Sequence, residues 1–235
     1  MKREGGRFDM CRAGQDAEVR FDPPLKAGGD PVWDVIRRRR SIRKFTDGAI
    51  SKKELSQLLW ATQGITAEGS RSGFRAAPSA GALYPIETLV AVNRVEGMEP
   101  GIYHYKNEQH SLNRLKKGVF GDELAGAALN QAALGKAAAV FAWAAVFERS
   151  TRIYKKRAYQ YIYLEAGHIA QNLALAAAAM GLGSFQVGAF VDSMVNELFG
   201  LDGTSESIIY LSPVGRTGDS QKTSVSTSQK PAESL

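Results

Sequence analysis

The chain is apolar at every position from 137 to 147, where it reads Ala137-Ala138-Ala139-Val140-Phe141-Ala142-Trp143-Ala144-Ala145-Val146-Phe147. The run is far shorter than the roughly 18 residues that a membrane-spanning helix needs. A strand that is covered on both faces needs apolar residues at every position, so the run favours a central strand of a buried sheet. Its alanines also permit a helix, and the pattern alone leaves that alternative open.

The residues after this run predict a long helix over about 156–180, with Gly181 as its left-handed stop. The residues that recur at helical spacing define its packing face, and they are Tyr161, Leu164, Ile169, Leu173 and Ala176. Before the run, Ser51 and Glu54 form a capping box that starts a helix ending at Gly64.

Helices and strands alternate along the rest of the chain. Shorter helices are predicted from Pro31 to near Ser41, from Asp122 onward and from Asp192 to Leu198. Strand patterns cover residues 87–95, 101–106, 111–115, 185–191 and 207–214. This order predicts a mixed α/β or α+β domain whose sheet is covered on both faces. We interpret residues 1–30 as a flexible N-terminal arm, 31–216 as one domain and 217–235 as a disordered, polar tail.

Composition excludes several classes of protein. The one cysteine, Cys11, cannot form an internal disulfide, and no run resembles a signal peptide or membrane span, so we expect a cytoplasmic protein. His104, His110 and His168 lack metal-ligand spacing, so no metal site is predicted. The sequence also has no GxSxG, no HExxH and no GxGxxG after a strand.

The net charge of +6 is concentrated in Arg37-Arg38-Arg39-Arg40-Ser41-Ile42-Arg43-Lys44. A solvated face or a nucleic-acid patch is one interpretation, but no aromatic residues that could stack on bases are interleaved there, so nucleic acid is not expected as a partner. If the chain is extended here, Arg39, Ser41 and Arg43 point the same way. Two guanidiniums and a hydroxyl then make a cradle for a small phosphate group.

The sequence resembles the nitroreductase superfamily, and within it the SagB-type dehydrogenases. The segments that carry this resemblance run in order through most of residues 33–216. They are Arg39-Arg40-Ser41-Ile42-Arg43-Lys44-Phe45, Ala77-Pro78-Ser79-Ala80-Gly81-Ala82-Leu83-Tyr84-Pro85-Ile86-Glu87, Gly101-Ile102-Tyr103-His104-Tyr105, Arg157-Ala158-Tyr159-Gln160-Tyr161, Leu164-Glu165-Ala166-Gly167-His168-Ile169-Ala170-Gln171-Asn172, Gly181-Leu182-Gly183-Ser184, Val187-Gly188-Ala189-Phe190 and Val214-Gly215-Arg216.

The resemblance implies an α+β fold: a three-layer α-β-α sandwich with a mixed, mainly antiparallel central sheet, in an intertwined homodimer with FMN at the subunit interface. It implies that Arg39, Ser41 and Arg43 hold the FMN phosphate and pyrimidine edge, with Arg40 beside them and Arg216 as a second phosphate ligand. Residues Pro78, Ser79 and Ala80 would reach the flavin bound mainly by the other subunit. Residues Gln186, Val187, Gly188 and Ala189 would lie along the isoalloxazine ring.

Two candidates for catalysis lie on or near the long helix. The azoline oxidases of the SagB-type group carry a Lys-Tyr pair shortly before this helix, whereas this chain has Ile153-Tyr154 followed by Lys155 and Lys156. Tyr154 is therefore a candidate, with Lys155 or Lys156 as a substitute base. Glu165, His168 and Asn172 share one helical face, where a structural hydrogen-bonding role and proton donation by His168 are both open.

The resulting hypothesis is an FMN-dependent oxidoreductase that uses NAD(P)H to reduce a small quinone- or nitro-type acceptor by hydride transfer through flavin N5. A dehydrogenase or oxidase acting on a peptide or small molecule is the alternative, as is a flavin-binding partner subunit without turnover. The sequence does not name the substrate.

Overall fold

The computed structural model describes residues 18–67 and 73–218; Cys11 and the tail from residue 219 lie outside these ranges. The helices are α1 (Val32–Arg38), α2 (Lys52–Gln63), α3 (Gly121–Ala127), α4 (Ala132–Lys136), α5 (Phe147–Tyr154), α6 (Ala158–Ala179) and α7 (Asp192–Phe199). The strands are β1 (Glu18–Arg20), β2 (Ile65–Ala67), β3 (Phe74–Arg75), β4 (Ile86–Val92), β5 (Gly101–Lys106), β6 (Ser111–Lys117), β7 (Ala139–Val146), β8 (Gly183–Ser184) and β9 (Glu206–Gly215). Among the helices described, none combines the length and the apolar character needed to cross a bilayer.

Seven of these strands form one sheet in the order β1-β6-β5-β4-β7-β9-β8, and every neighbouring pair is antiparallel. Across residues 18–67 and 73–218, parallel pairing occurs in two isolated bridges, Ser41 with Ser184 and Ile50 with Val95. The predicted mainly antiparallel sheet is confirmed.

The apolar run has the role expected of a strand covered on both faces. Along β7, Phe141 and Trp143 pack with α2 and α6 on one face, whereas Val140 and Ala142 pack with α3, α4 and α7 on the other. All these side chains are fully buried. The domain is therefore the three-layer sandwich that the resemblance implied, and the helical alternative for this run is wrong.

Two helix ends with strong local sequence signals were predicted correctly. The capping box of Ser51 and Glu54 is formed in both directions at the start of α2, and Gly181 takes the left-handed conformation with φ 69°. The packing face of α6 is only partly as predicted, because Leu164 is 60% exposed while Ile169 and Leu173 are buried. The buried face instead includes Glu165, a charged residue that the apolar pattern skipped.

One further prediction needs correction. Residues 185–191 do not form a strand: only Val187 makes a bridge, to Leu211, and Val191 then bonds to Ala127 as the chain turns toward α3. In the described part of the predicted arm, residues 18–30, β1 pairs with β6, and Val19 and Phe21 pack against the core.

Candidate functional site

The basic segment runs along the end of the sheet formed by β8. Ser41 bridges to Ser184, and the Ile42 amide donates to the Ser184 carbonyl at 2.9 Å. A Cβ on Gly183 would lie 2.8 Å from Cγ2 of Ile42, so only glycine allows this approach. The close contact fixes the segment in an extended course just after α1.

The extended course makes the arginines alternate in direction. Arg40 and Ile42 line a cavity of about 380 Å³ on one side, together with Ala178 and Gly181 of the neighbouring turn. Arg40 donates to the carbonyls of its own neighbours, at 2.7 and 2.9 Å. The Arg40 side chain therefore lies on the cavity side of the segment, apart from Arg39, Ser41 and Arg43, with which the sequence grouped it.

Arg39, Ser41 and Arg43 do not line this cavity. Within the described ranges, none of their side chains makes a hydrogen bond to the protein, and the Arg43 guanidinium lies 5.1 Å from the centre of the Phe185 ring. Two guanidiniums and one hydroxyl are thus free to bind an anion.

The segment that follows β8 carries the predicted isoalloxazine contacts. Val187 is buried and exchanges two backbone hydrogen bonds with Leu211, at 2.8 and 3.0 Å, whereas Gly188 and Ala189 are exposed. Gln186 is part of the packing instead: its amide donates to the Ala170 carbonyl at 3.1 Å, and its oxygen accepts from Ser212. An exposed backbone on a fixed strand bridge can approach a flat ring closely.

Arg216 has a structural partner. Its two terminal nitrogens bind both oxygens of Glu54, each at 2.8 Å, and its Nε donates to the Ala49 carbonyl at 3.0 Å. The guanidinium thereby ties the end of β9 to the start of α2. The predicted role of Arg216 as a second phosphate ligand stays a prediction, and Glu54 would then share its guanidinium.

The loop 78–85 is held in an unusual backbone conformation. Gly81, Ala82 and Tyr84 all have positive φ angles, of 63°, 51° and 46°. Such conformations are costly for residues other than glycine and persist only when the surroundings hold them. The Tyr84 amide donates to Oγ of Ser79 at 2.9 Å, and Arg149 donates to the Tyr84 carbonyl at 2.9 Å.

Tyr154 lies against this loop. A Cβ on Gly81 would come within 2.6 Å of its hydroxyl oxygen, and its ring packs edge-on against Tyr161 at 4.9 Å. The fold thus brings a predicted catalytic residue to a predicted cofactor-binding loop. Lys155 does not complete the pair, because its ammonium donates to the Arg152 carbonyl at 3.1 Å.

The polar face of α6 is divided. Glu165 is 3% exposed and bonded to Ser79, and Asn172 donates to the Ala61 carbonyl at 3.1 Å. His168 is exposed, so the predicted set of three does not form one buried network. His168 is therefore a candidate proton donor at the exposed surface of α6.

A buried ionic group behind the loop was missed by sequence reasoning. Glu87 accepts from Nε2 of His104 at 2.7 Å and pairs with Arg149 at 2.5 Å. Burial acts to raise the pKa of Glu87, but the hydrogen bond from His104 and the charge of Arg149 outweigh it and hold the pKa at about 2. The signal that could have found it is a glutamate inside an apolar strand pattern, which needs charged partners when buried.

Two contacts with α6 give the distance between the two candidate regions. The loop contacts α6 at Glu165, and Arg38 of the basic segment donates to the carbonyl of Ala178 at 3.2 Å. At 1.5 Å per residue these contacts lie about 20 Å apart along the helix. Within one chain, the loop therefore meets the first half of α6, whereas the basic segment lies near its C-terminal end.

The family model for the nitroreductase family matches residues 36–216. The chain belongs to the nitroreductase family. MJ1384 of Methanocaldococcus jannaschii, whose name assigns it to the nitroreductases, is 43% identical over 183 residues, covering 78% of this chain and 89% of that protein.

Two other likenesses bear on the branch and the fold. The trifolitoxin-processing protein TfxB of Rhizobium leguminosarum bv. trifolii is 33% identical over 147 residues; the match covers 57% of this chain and only 37% of TfxB. A crystal structure of a Ralstonia eutropha protein described as a nitroreductase has a TM-score of 0.75 at 25% identity, covering 88% of this chain and 91% of that one. The nitroreductase-type fold is thereby established for this oxidoreductase.

Proposed function

We propose that this nitroreductase-family oxidoreductase binds FMN and uses NAD(P)H to reduce a small quinone- or nitro-type acceptor. The observation that carries the proposal is the free set of Arg39, Ser41 and Arg43, of which Arg43 lies over Phe185, three residues before the exposed Gly188 and Ala189. A phosphorylated, flat cofactor needs this combination: charge-assisted donors for its phosphate and close main-chain contact for its ring.

Each part of the cradle has a role suited to its position. Arg39 and Ser41 would bind the phosphate, and Arg43, above Phe185, would face the pyrimidine edge. The backbone N–H groups of Gly188 and Ala189 would donate to the ring. When bound, FMN supplies hydride transfer at N5, while the chain holds the ring and excludes water.

We further propose that the working unit is a homodimer. Because the loop 78–85 lies about 20 Å along α6 from the basic segment, Pro78, Ser79 and Ala80 would meet a flavin held by the partner subunit. Large apolar side chains on α1 and α6 support such an interface, since Trp33 and Leu164 are 79% and 60% exposed. Apolar surface of this kind marks interaction sites in soluble proteins.

The alternative is oxidation of a peptide or small-molecule substrate, and the likeness to TfxB favours it. The position of Tyr154 against the loop is compatible with this reaction. Lys155 donates to the Arg152 carbonyl and makes no hydrogen bond to Tyr154 among the described residues, which does not support an azoline-oxidase base at that residue. A flavin-binding subunit without turnover is the remaining alternative.

Anaerobic reduction of the FMN-loaded protein separates these functions. The proposed reductase is bleached by NADH or NADPH and then reoxidised by a quinone or a nitroaromatic. A yellow protein that neither nucleotide reduces would exclude the reductase and leave the oxidase or the inactive subunit. A colourless protein with no affinity for added FMN would contradict the flavin assignment itself.

A further inference from the structure

Glu165 is an ionisable group that the proposed function does not yet use. It lies on the buried face of α6 and is 3% exposed. One carboxyl oxygen, Oε2, is hydrogen bonded to Oγ of Ser79, and the other, Oε1, is buried with no partner at normal hydrogen-bond geometry among the described residues, the Ile86 backbone N–H being the donor that still acts on this carboxyl. An ionised carboxylate normally has several donors, so this environment is poor for the charged form.

The cations that act on Glu165 do not outweigh its burial. They are the guanidiniums of Arg75 on β3 and Arg149 on α5. Arg75 donates to Gln63 of α2, and Arg149 is paired with Glu87 of β4. Burial raises the pKa of Glu165 to about 7, against the opposing effects of the Ser79 hydrogen bond, the Arg75 charge, the Ile86 backbone N–H and the Arg149 charge.

The bonding capacity of Ser79 links this carboxyl to the loop surface. A hydroxyl has one donor and two acceptor positions, and one acceptor position of Ser79 is taken by the Tyr84 amide at 2.9 Å. If Glu165 is ionised, the Ser79 hydroxyl must donate inward to it. If Glu165 carries a proton, it donates to Ser79, and the Ser79 hydrogen is free to donate elsewhere.

We propose that Glu165 is a positioning residue whose proton directs the Ser79 hydroxyl outward, where it donates to an oxygen or nitrogen acceptor of the bound flavin. Removal of that proton turns the hydroxyl inward and withdraws the donor. The position of the loop supports this, since Ser79 is half-buried between exposed Pro78 and Gly81. The inference rests on the proposed function, because the acceptor belongs to the FMN proposed there.

The effect has the size of one hydrogen bond. A neutral hydrogen bond contributes about 1 kcal/mol, which corresponds to roughly a fivefold change in affinity. FMN affinity of the wild-type protein should therefore fall about fivefold as the pH rises from 5.5 to 8.5, beyond any change caused by ionisation of the FMN phosphate. The phosphate contribution is common to all variants and cancels when they are compared.

The test is the dissociation constant of FMN, followed by quenching of flavin fluorescence across this pH range. Glu165→Gln is uncharged at every pH, so the extra fivefold dependence should disappear. Ser79→Ala lacks the hydroxyl and should also lose it, with weaker binding at low pH. Glu206→Gln is the matched control, because Glu206 is another buried carboxyl in which burial raises the pKa, and it should keep the dependence.

Infrared spectroscopy of the flavin-free protein provides a readout that does not depend on binding. At low pH the wild type should show the carbonyl stretch of a protonated, buried carboxyl, and the Glu165 component is the part of this signal that E165Q lacks and E206Q keeps. The inference is overturned if wild type and E165Q have the same pH dependence or if this band is absent. If neither protein binds FMN at any pH while the band is present, the proposed function fails and the protonation of Glu165 stands.

Discussion

The two regions that contact α6 use their polar side chains in opposite ways. Near Ala178, the side chains of Arg39 and Arg43 have no hydrogen-bonding partner in the described protein. In the first half of the helix, Glu165 bonds to Ser79 of the loop, whose backbone Arg149 holds. The basic segment keeps charge available for a ligand, whereas the second region fixes a loop in a costly conformation. A binding site needs both properties, and in this chain they are about 20 Å apart.

The largest effect is expected on FMN binding, at the unpaired guanidiniums of Arg39 and Arg43. Replacing both Arg39 and Arg43 by alanine should weaken FMN binding about 1000-fold, because each hydrogen bond to a charged group contributes roughly 1.5–3 kcal/mol. Isothermal titration with FMN measures this change. A double variant that binds FMN as the wild type does would remove the cradle from the account.

The second-largest effect is expected on stability, at the buried carboxyl of Glu165. Because the folded-state pKa of Glu165 is raised from 4.5 to about 7, its contribution to the free energy of unfolding is fully present below about pH 4.5. It is lost as the pH rises through about 7, by an amount on the order of 3 kcal/mol. Denaturant titrations at pH 5 and pH 8.5 should show this loss in the wild type and not in Glu165→Gln. Equal losses in both proteins would assign the change to other groups.

A smaller effect should come from the strained loop. Gly81→Ala places a Cβ at φ 63° and 2.6 Å from the Tyr154 hydroxyl oxygen, and should lower the free energy of unfolding by about 1–3 kcal/mol. The steric part should disappear when Tyr154 is also replaced by alanine, so that the double-mutant cycle shows a coupling between the two positions. If the effects are simply additive, Tyr154 does not pack on the loop.

The smallest effect is expected one residue away from the cradle. Among the described residues, Arg40 bonds through its side chain only to the carbonyls of Arg37 and Arg39, so with Arg40→Ala the FMN affinity should change less than threefold. The comparison with Arg39→Ala is matched in charge and in sequence position. A loss of affinity as large as that of Arg39→Ala would mean that the alternation along the segment is misassigned.

The sequence predicted the parts of the fold that depend on local chemistry. The apolar run at 137–147, the capping box at Ser51 and the stop at Gly181 each carry a strong short-range signal, and all three are confirmed. The course of residues 185–191 was predicted wrongly because their apolar composition suits a strand, whereas the bond from Val191 to Ala127 draws the chain out of the sheet.

At the candidate site, contacts between residues far apart in the sequence limited what could be predicted. The alternation of Arg39, Ser41 and Arg43 could be predicted, because an extended segment has a fixed period. The pairing of Arg216 with Glu54, 162 positions away, could not be predicted. The bond between Ser79 and Glu165 spans 86 positions, so the sequence could place both residues in known motifs without showing that they meet.

The central claim is that the cradle of one subunit is completed by the loop of its partner. It can be tested with a purified mixed dimer in which one subunit carries Arg39→Ala and Arg43→Ala and the other carries Pro78→Glu, a change at an exposed loop position. Each variant alone should bind FMN weakly. The mixed dimer should regain one tight FMN site, formed by the intact cradle of one subunit and the intact loop of the other. A mixed dimer with no tight site would contradict the claim.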